Sequence, residues 1–193
     1  MILLFSLHFS FVFLKFDYLS YNLQLSIGLM QSLFNSFEQE GLKKNSKSFE
    51  KQTNTLSPDI LKRELERFTI ELSWKSSKIE GNTYSLLETE TLIKEQKVAK
   101  GKTTEETIMI LNHKSAFEEI LKHKKVFKAL SLSIINQLHN VLIKDLNVST
   151  GIRRNAVGIT GTTYRPLDNQ HQIREAMNTL MKNLNITVRK DEE

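Results

Sequence analysis

The sequence predicts a mainly α-helical protein with one short β-hairpin. Only 2 Pro and 7 Gly occur among 193 residues, which is too few turn residues for a chain of many short strands. Apolar residues also recur at intervals of three and four over much of the chain, the spacing of one helix face. Hydrophobic residues at 39% and charged residues at 25% exclude collagen-like, wholly disordered and polytopic membrane proteins.

Cysteine is absent and the net charge is mildly positive. Without Cys the chain has no disulfide framework, thiolate nucleophile or Cys-based metal site. The formal charge of +5 comes from 27 basic and 22 acidic residues, a small excess for a nucleic-acid-binding protein. A basic helical nucleic-acid binder is the disfavoured alternative because no recognition-helix pattern accompanies the charge. We therefore expect no nucleic-acid partner.

Residues 1–40 form a Phe-rich leader of unknown role. Eight of the 11 Phe lie in the first 49 residues, and Lys15 and Asp17 are the only charged residues before the leader's last three positions. The charge-free run 1–14 is shorter than the roughly 20 residues of a membrane span and lacks the positive start of a secretory signal. Three interpretations stay open. The segment is a poorly specified leader, for example from a start codon assigned too early. Alternatively, it is an extra helix that packs on the body, or a membrane-associated segment within residues 1–34. We expect a cytoplasmic protein.

The body of the chain, residues 57–186, follows a segment at residues 41–56 whose polar composition predicts a solvated linker. Ser57 can cap a helix that has Pro58 at its first position. The apolar residues that follow share one helix face: Leu61, Leu65, Phe68, Leu72 and Ile79. This stripe predicts an amphipathic helix that packs on a core.

We place this first helix of the body at about 57–80. Gly81 and Asn82 tolerate the left-handed conformation that commonly ends a helix. Glu80 lies in the last turn, where the helix macrodipole disfavours a carboxylate by about 0.3 to 1 kcal/mol. We therefore expect a positive group to offset Glu80.

Four more helices follow, each predicted from apolar spacing and capping residues. Their predicted ranges are Ser85 to about Val98, Thr104 (as N-cap) to His123, Ser131 to Leu146, and Gln170 to Leu184. A charged tail at residues 187–193 ends the sequence.

A change from helical to alternating spacing predicts the β-hairpin, at about 156–166. The residues that carry this prediction are Val157, Ile159, Thr160, Gly161, Thr162 and Thr163. An exposed strand can hold an extended target segment by strand addition. A plain connecting hairpin is the alternative.

The run SSKIEGN at residues 76–82 has the pattern Ser/Thr-x-x-x-Glu-Gly/Asn and resembles the inhibitory-helix motif of the Fic (Fido-domain) family. Four segments follow it in the order and approximate spacing of that family: residues 88–90, 112–116, 151–154 and the hairpin at 157–166. The resemblance covers about residues 56–186. It implies a helical Fic-type core in which the hairpin is the target-docking flap, close to the nucleotide.

The family transfers AMP from ATP to a Ser, Thr or Tyr hydroxyl of a target protein. Its signature loop, His-x-Phe-x-Asp-Gly-Asn-Gly-Arg-x-x-Arg, supplies the base, the Mg²⁺ ligand and the grip on the ATP phosphates. This sequence does not contain that loop, so we assign it no catalytic or metal-binding residue and expect it to be inactive alone. ATP and Mg²⁺ are implied only for the complete enzyme, and the helical core is incomplete.

The resemblance assigns the inhibitory motif to Ser76, Glu80, Gly81 and Asn82. In the family this Glu faces the second arginine of the signature loop and obstructs the γ-phosphate of ATP, whereas a plain surface carboxylate is the alternative for Glu80. His113 lies between apolar residues, where a buried, hydrogen-bonded side chain is the more common case.

We therefore interpret the chain as an N-terminal fragment of a Fic-family adenylyltransferase, from an interrupted or split gene. Its expected partners are the missing C-terminal half and a target protein. The alternative is an antitoxin-like inhibitor that acts in trans on a complete Fic enzyme. Uncovered apolar stripes would also allow self-association, which makes a homo-oligomer another expected form.

Overall fold

The computed structural model describes residues 35–158 and 165–192, and over these ranges the protein is mainly α-helical, as predicted. Six α-helices and a short 3₁₀ helix follow one another along the described chain. They are α1 (Ser36–Thr55), α2 (Pro58–Ile79), α3 (Leu86–Glu95), α4 (Thr104–Lys122), the 3₁₀ helix (Val126–Lys128), α5 (Leu132–Leu142) and α6 (Gln170–Glu192).

Helix α1 occupies most of the segment predicted to be a linker. Asn35 begins it with a capping box: its Oδ1 accepts the Glu38 N–H at 2.9 Å, and its own N–H donates to Glu38 Oε2 at 2.8 Å. The helix contains Gly41 but no Pro, and its many Lys, Glu and Gln residues are good helix formers. Its described side chains are largely exposed. Residues 41–55 of the predicted linker and the predicted leader boundary at residue 40 therefore lie within one largely exposed helix.

Helix α2 starts at Pro58, as the sequence predicts. A second capping box begins α3, where Ser85 is the N-cap and Glu88 reaches back to it. Helix α3 ends at Glu95, before the predicted end at Val98, because Gln96 adopts a left-handed conformation with φ of 57°.

The N-cap of α4 is Thr103, which forms a capping box with Glu106; the predicted cap, Thr104, is instead the first helical residue. Helix α5 ends at Leu142, four residues earlier than predicted. Asp145 (φ of 61°) lies in the turns that follow α5, and its left-handed backbone cannot continue a helix.

Helix α6 begins at Gln170, as predicted, but continues to residue 192. The predicted helix end at Leu184 is therefore wrong, and residues 187–192 of the predicted charged tail continue the helix. No Gly or Pro follows residue 170 to stop the helix, and charged residues alone do not end one.

The predicted β-hairpin is not seen. Among the described residues no strand occurs, and residues 156–158 and 165–166 have irregular backbone. The centre of the prediction, residues 159–164, lies outside the described residues. Alternating residue spacing is a weak signal here because an isolated two-stranded hairpin is only marginally stable in water.

The described chain divides into two compact units. One is residues 65–153, which contains most of α2 and all of α3 to α5. The other comprises the described parts of 1–64 and 154–193. Leu180 and Met181 on α6 are buried. The predicted body at 57–186 is thus divided between the two units.

Helix α4 is the centre of the 65–153 unit and packs against both α3 and α5. Tyr84, Leu92 and Ile110 form its most buried cluster. The rings of Phe68 on α2 and Phe117 on α4 lie 5.2 Å apart, centroid to centroid. This ring contact joins the middle of α2 to α4.

Candidate functional site

The end of α2 is closed by a Schellman motif. The Asn82 N–H donates to the Ser77 carbonyl at 3.0 Å, and the Gly81 N–H donates to the Lys78 carbonyl at 3.1 Å. Gly81 has φ of +93°, the left-handed conformation that this motif requires. Glu80 is consequently the C-cap residue, and its backbone is held on both sides.

The Asn82 side chain attaches this turn to α4. Asn82 is buried, its Nδ2 donates to the Glu106 carbonyl at 2.7 Å, and it lies 3.8 Å from Met109 Sδ. Its Oδ1 accepts the Tyr84 N–H at 3.0 Å. Both polar atoms of the amide are therefore satisfied, and the inhibitory-motif Asn has a structural role here.

A second attachment is made by the carboxylate of Glu106. It accepts the backbone N–H of Thr103 at 2.9 Å and that of Thr83 at 2.7 Å, together with the Thr83 hydroxyl. Because the Thr103 N–H and then the two Thr83 groups stabilise the ionised form, the pKa of Glu106 is lowered to about 2. Lys102 Nζ donates to the Thr83 carbonyl at 2.8 Å, so Thr83 is held by both Glu106 and Lys102.

The side chain of Glu80 leaves this fixed turn and is 54% exposed. Its Oε2 lies 3.6 Å from Nε2 of His113, whose side chain is only 14% exposed. The distance exceeds that of an ordinary hydrogen bond, so the pair is an electrostatic contact that needs a protonated imidazole. Among the described residues, His113 is the group within 4 Å of the Glu80 carboxylate that can carry a positive charge.

The structure brings Glu80, Gly81 and Asn82 together but gives Ser76 no part in their contacts. Ser76 is half-buried, and no hydrogen bond joins its hydroxyl to Glu80 within the described chain. The neighbouring Ser77 is buried, and its Oγ has no hydrogen-bond partner among the described residues.

Of the six predicted flap residues, the structure describes Val157. Val157 is about half exposed and lies in irregular backbone. The other five, Ile159, Thr160, Gly161, Thr162 and Thr163, lie outside the described residues.

Residues that the sequence argument did not assign also support the site. Asn112 is buried and donates from Nδ2 to the carbonyls of Leu142 (2.9 Å) and Lys144 (2.7 Å), which ties the helix segment next to His113 to the end of α5. The Thr-x-x-Glu spacing of Thr103 and Glu106 is a recognisable capping-box signal. Nothing in the spacing, however, shows that the same carboxylate also binds Thr83.

In the described ranges, no group of three His, Asp or Glu side chains could hold a metal ion. Within the same ranges no helix is both long enough and apolar enough to cross a membrane. No family model, no curated protein and no solved structure matches this chain.

Proposed function

We propose that this chain is the regulatory N-terminal part of a Fic-type protein adenylyltransferase. In this proposal Glu80 binds an arginine in the catalytic loop of another polypeptide. The observation that carries it is the presentation of Glu80: its backbone is fixed by a Schellman turn, while its carboxylate is more than half exposed. A carboxylate held in this way can pair with a guanidinium through two parallel hydrogen bonds.

The proposed mechanism is electrostatic competition for one arginine. The signature loop uses that arginine to hold the γ-phosphate of ATP, and a bound carboxylate would both neutralise it and occupy its place. The partner chain would supply the general base and bind ATP and Mg²⁺. No residue of this chain is assigned to the chemistry of AMP transfer.

Rigid support of Glu80 favours this role over that of an ordinary surface carboxylate. The turn after Glu80 is attached to α4 by the Asn82 amide and by the Glu106 carboxylate. An incoming arginine would therefore meet a carboxylate whose backbone needs no further ordering, which lowers the entropic cost of binding.

The first test is a search for the signature loop in the reading frames on the 3′ side of the Glu193 codon. A polypeptide that carries the loop should copurify with this chain when the two are expressed together.

Transfer of labelled AMP by the purified pair is then measured with wild-type chain and with Glu80→Gln, which keeps the size and helix propensity of Glu.

We expect Glu80→Gln to raise AMP transfer by about ten- to hundredfold, since a hydrogen bond to a charged group contributes roughly 1.5–3 kcal/mol. Glu90→Gln is the matched control, because Glu90 is an exposed carboxylate in an ion pair with Lys94 on α3. Equal transfer by the wild-type pair and both variants, at matched complex concentration, would show that Glu80 is only a surface carboxylate.

The trans-acting alternative makes a different prediction in the same assay. An antitoxin-like inhibitor would lower AMP transfer by a complete Fic enzyme that lacks its own inhibitory Glu. The inhibition would be complete near one inhibitor chain per enzyme molecule. The inhibitor would not restore AMP transfer to a separate C-terminal half of a Fic enzyme.

A further inference from the structure

We propose that His113 is a positioning residue for Glu80. In the absence of arginine it holds the carboxylate against α4, and it competes with the arginine of the partner chain for that carboxylate. The inference rests on the proposed function for the identity of the competitor. The contact between Glu80 and His113 does not depend on it.

The two side chains differ in freedom, and that difference suits this role. Glu80 is 54% exposed, so it can rotate away from α4 while its backbone stays in the Schellman turn. His113 is 14% exposed, and the adjacent Asn112 is anchored by two hydrogen bonds to the end of α5. Release of the carboxylate therefore requires rotation of one side chain and no movement of either helix.

The charged residues close to Glu80 and His113 in the sequence have other contacts. Lys78 Nζ lies 5.1 Å from the centroid of the Trp74 ring, and Lys114 is paired with Glu118 at 2.8 Å. Glu106 receives the hydrogen bonds of Thr83 and Thr103. Among the described residues, His113 is the basic group within 4 Å of the Glu80 carboxylate, and the contact is an ion pair only when the imidazole is protonated.

The competition has a definite dependence on pH. An arginine is charged at every pH of interest and offers two parallel donors, whereas a histidine ordinarily gains its second proton only below about pH 6.5. A neutral imidazole holds the carboxylate weakly, and arginine should displace it. An imidazolium holds it more strongly, so restraint of the partner by Glu80 should weaken.

The contact itself is tested on the full chain by a double-mutant cycle in urea. Wild type, Glu80→Gln, His113→Phe and the double variant are unfolded at pH 5.5 and pH 8. We expect a coupling of about two- to fivefold in the unfolding equilibrium constant at pH 5.5, the range of partly exposed ion pairs, and almost none at pH 8. His113→Gln replaces His113→Phe in the cycle if the Phe variant does not fold. Absence of coupling at both pH values would overturn the proposal.

The competition is tested with the reconstituted pair, by the ratio of AMP transfer between Glu80→Gln and wild type. This ratio cancels the pH dependence of the chemistry. In the chain that keeps His113, this ratio should fall at least threefold from pH 8 to pH 5.5. When His113 is replaced, the ratio should be larger than with His113 and should not change with pH. A ratio that falls equally with and without His113 would contradict competition.

His123→Phe is the matched control for both measurements. His123 also faces a carboxylate, Glu119, at 3.2 Å on α4, but this pair has no contact with Glu80. Its replacement should leave the AMP-transfer ratio unchanged at both pH values. A ratio of one at both pH values, together with coupling in urea, would instead refute the proposed function and the competition while leaving a local His113–Glu80 contact.

Discussion

The Glu80 carboxylate lies 3.6 Å from the His113 imidazole, so the C-cap residue of α2 contacts a largely buried side chain of α4. A carboxylate at the negative end of a helix is in an unfavourable position, which this contact offsets only when the imidazole carries its second proton. The pair therefore keeps an exposed carboxylate close to α4 without holding it as firmly as a permanent cation would.

Purified alone, the chain is expected to transfer no AMP. The sequence lacks the loop that would supply base, metal ligand and phosphate grip, and loss of a general base alone lowers rates by about 10²–10⁴-fold. The measurement is labelled-AMP transfer from ATP and Mg²⁺ to candidate proteins. Labelling that persists after a second, independent purification would contradict the prediction.

Two glycine substitutions should have opposite effects on stability. Gly81→Ala should lower the free energy of unfolding by about 1–2 kcal/mol, because φ of +93° disfavours any residue with a Cβ. Crowding adds nothing, since no atom lies within 4 Å of the added Cβ. Gly41→Ala, inside α1 and equally open, should raise stability by about 0.5–1 kcal/mol. Urea unfolding of both variants checks the signs, and equal shifts in one direction would show that the Schellman turn is not formed.

Asn112→Ala should lower the free energy of unfolding by about 1–3 kcal/mol. The change removes two hydrogen bonds and leaves the Leu142 carbonyl, at a half-buried residue, without this donor. The control is Asn140→Ala, at an exposed position of α5, where we expect a change within about 0.5 kcal/mol. Similar effects in both variants would show that Asn112 does not link α4 to α5.

The pH dependence of stability should include a contribution from Glu106. Its pKa is about 2 in the folded chain, against an ordinary value of 4.5. A lowered pKa means that the contribution is complete above about pH 4.5 and is lost as the pH falls toward 2.

This contribution is measured as the urea midpoint of wild type minus that of Glu106→Gln. The difference should be largest near pH 6 and should shrink between pH 4.5 and 2. Glu105→Gln, at the exposed neighbouring position, should show no such change. A difference for Glu106→Gln that is constant with pH would mean that the carboxylate does not hold Thr83 and Thr103 in its ionised form.

Much of the local structure follows from short-range signals. Pro58 after Ser57 marks the start of α2, and Gly81 with Asn82 marks its end, because capping chemistry involves residues within a few positions of one another. At the polar segment of α1, composition and capping chemistry point to different structures. The composition predicts a linker, whereas the capping box of Asn35 and Glu38 favours a helix.

The sequence by itself determined the helical class, the position of Glu80 at a helix end and the need for a nearby positive group. Only the tertiary structure decided that His113 lies beside Glu80, that the Asn82 amide binds the Glu106 carbonyl, and that the Glu106 carboxylate binds Thr83. The physical reason is range. Helix periodicity and caps arise from neighbours in the chain, whereas these three contacts exist only because the end of α2 and the turn after it lie beside α4.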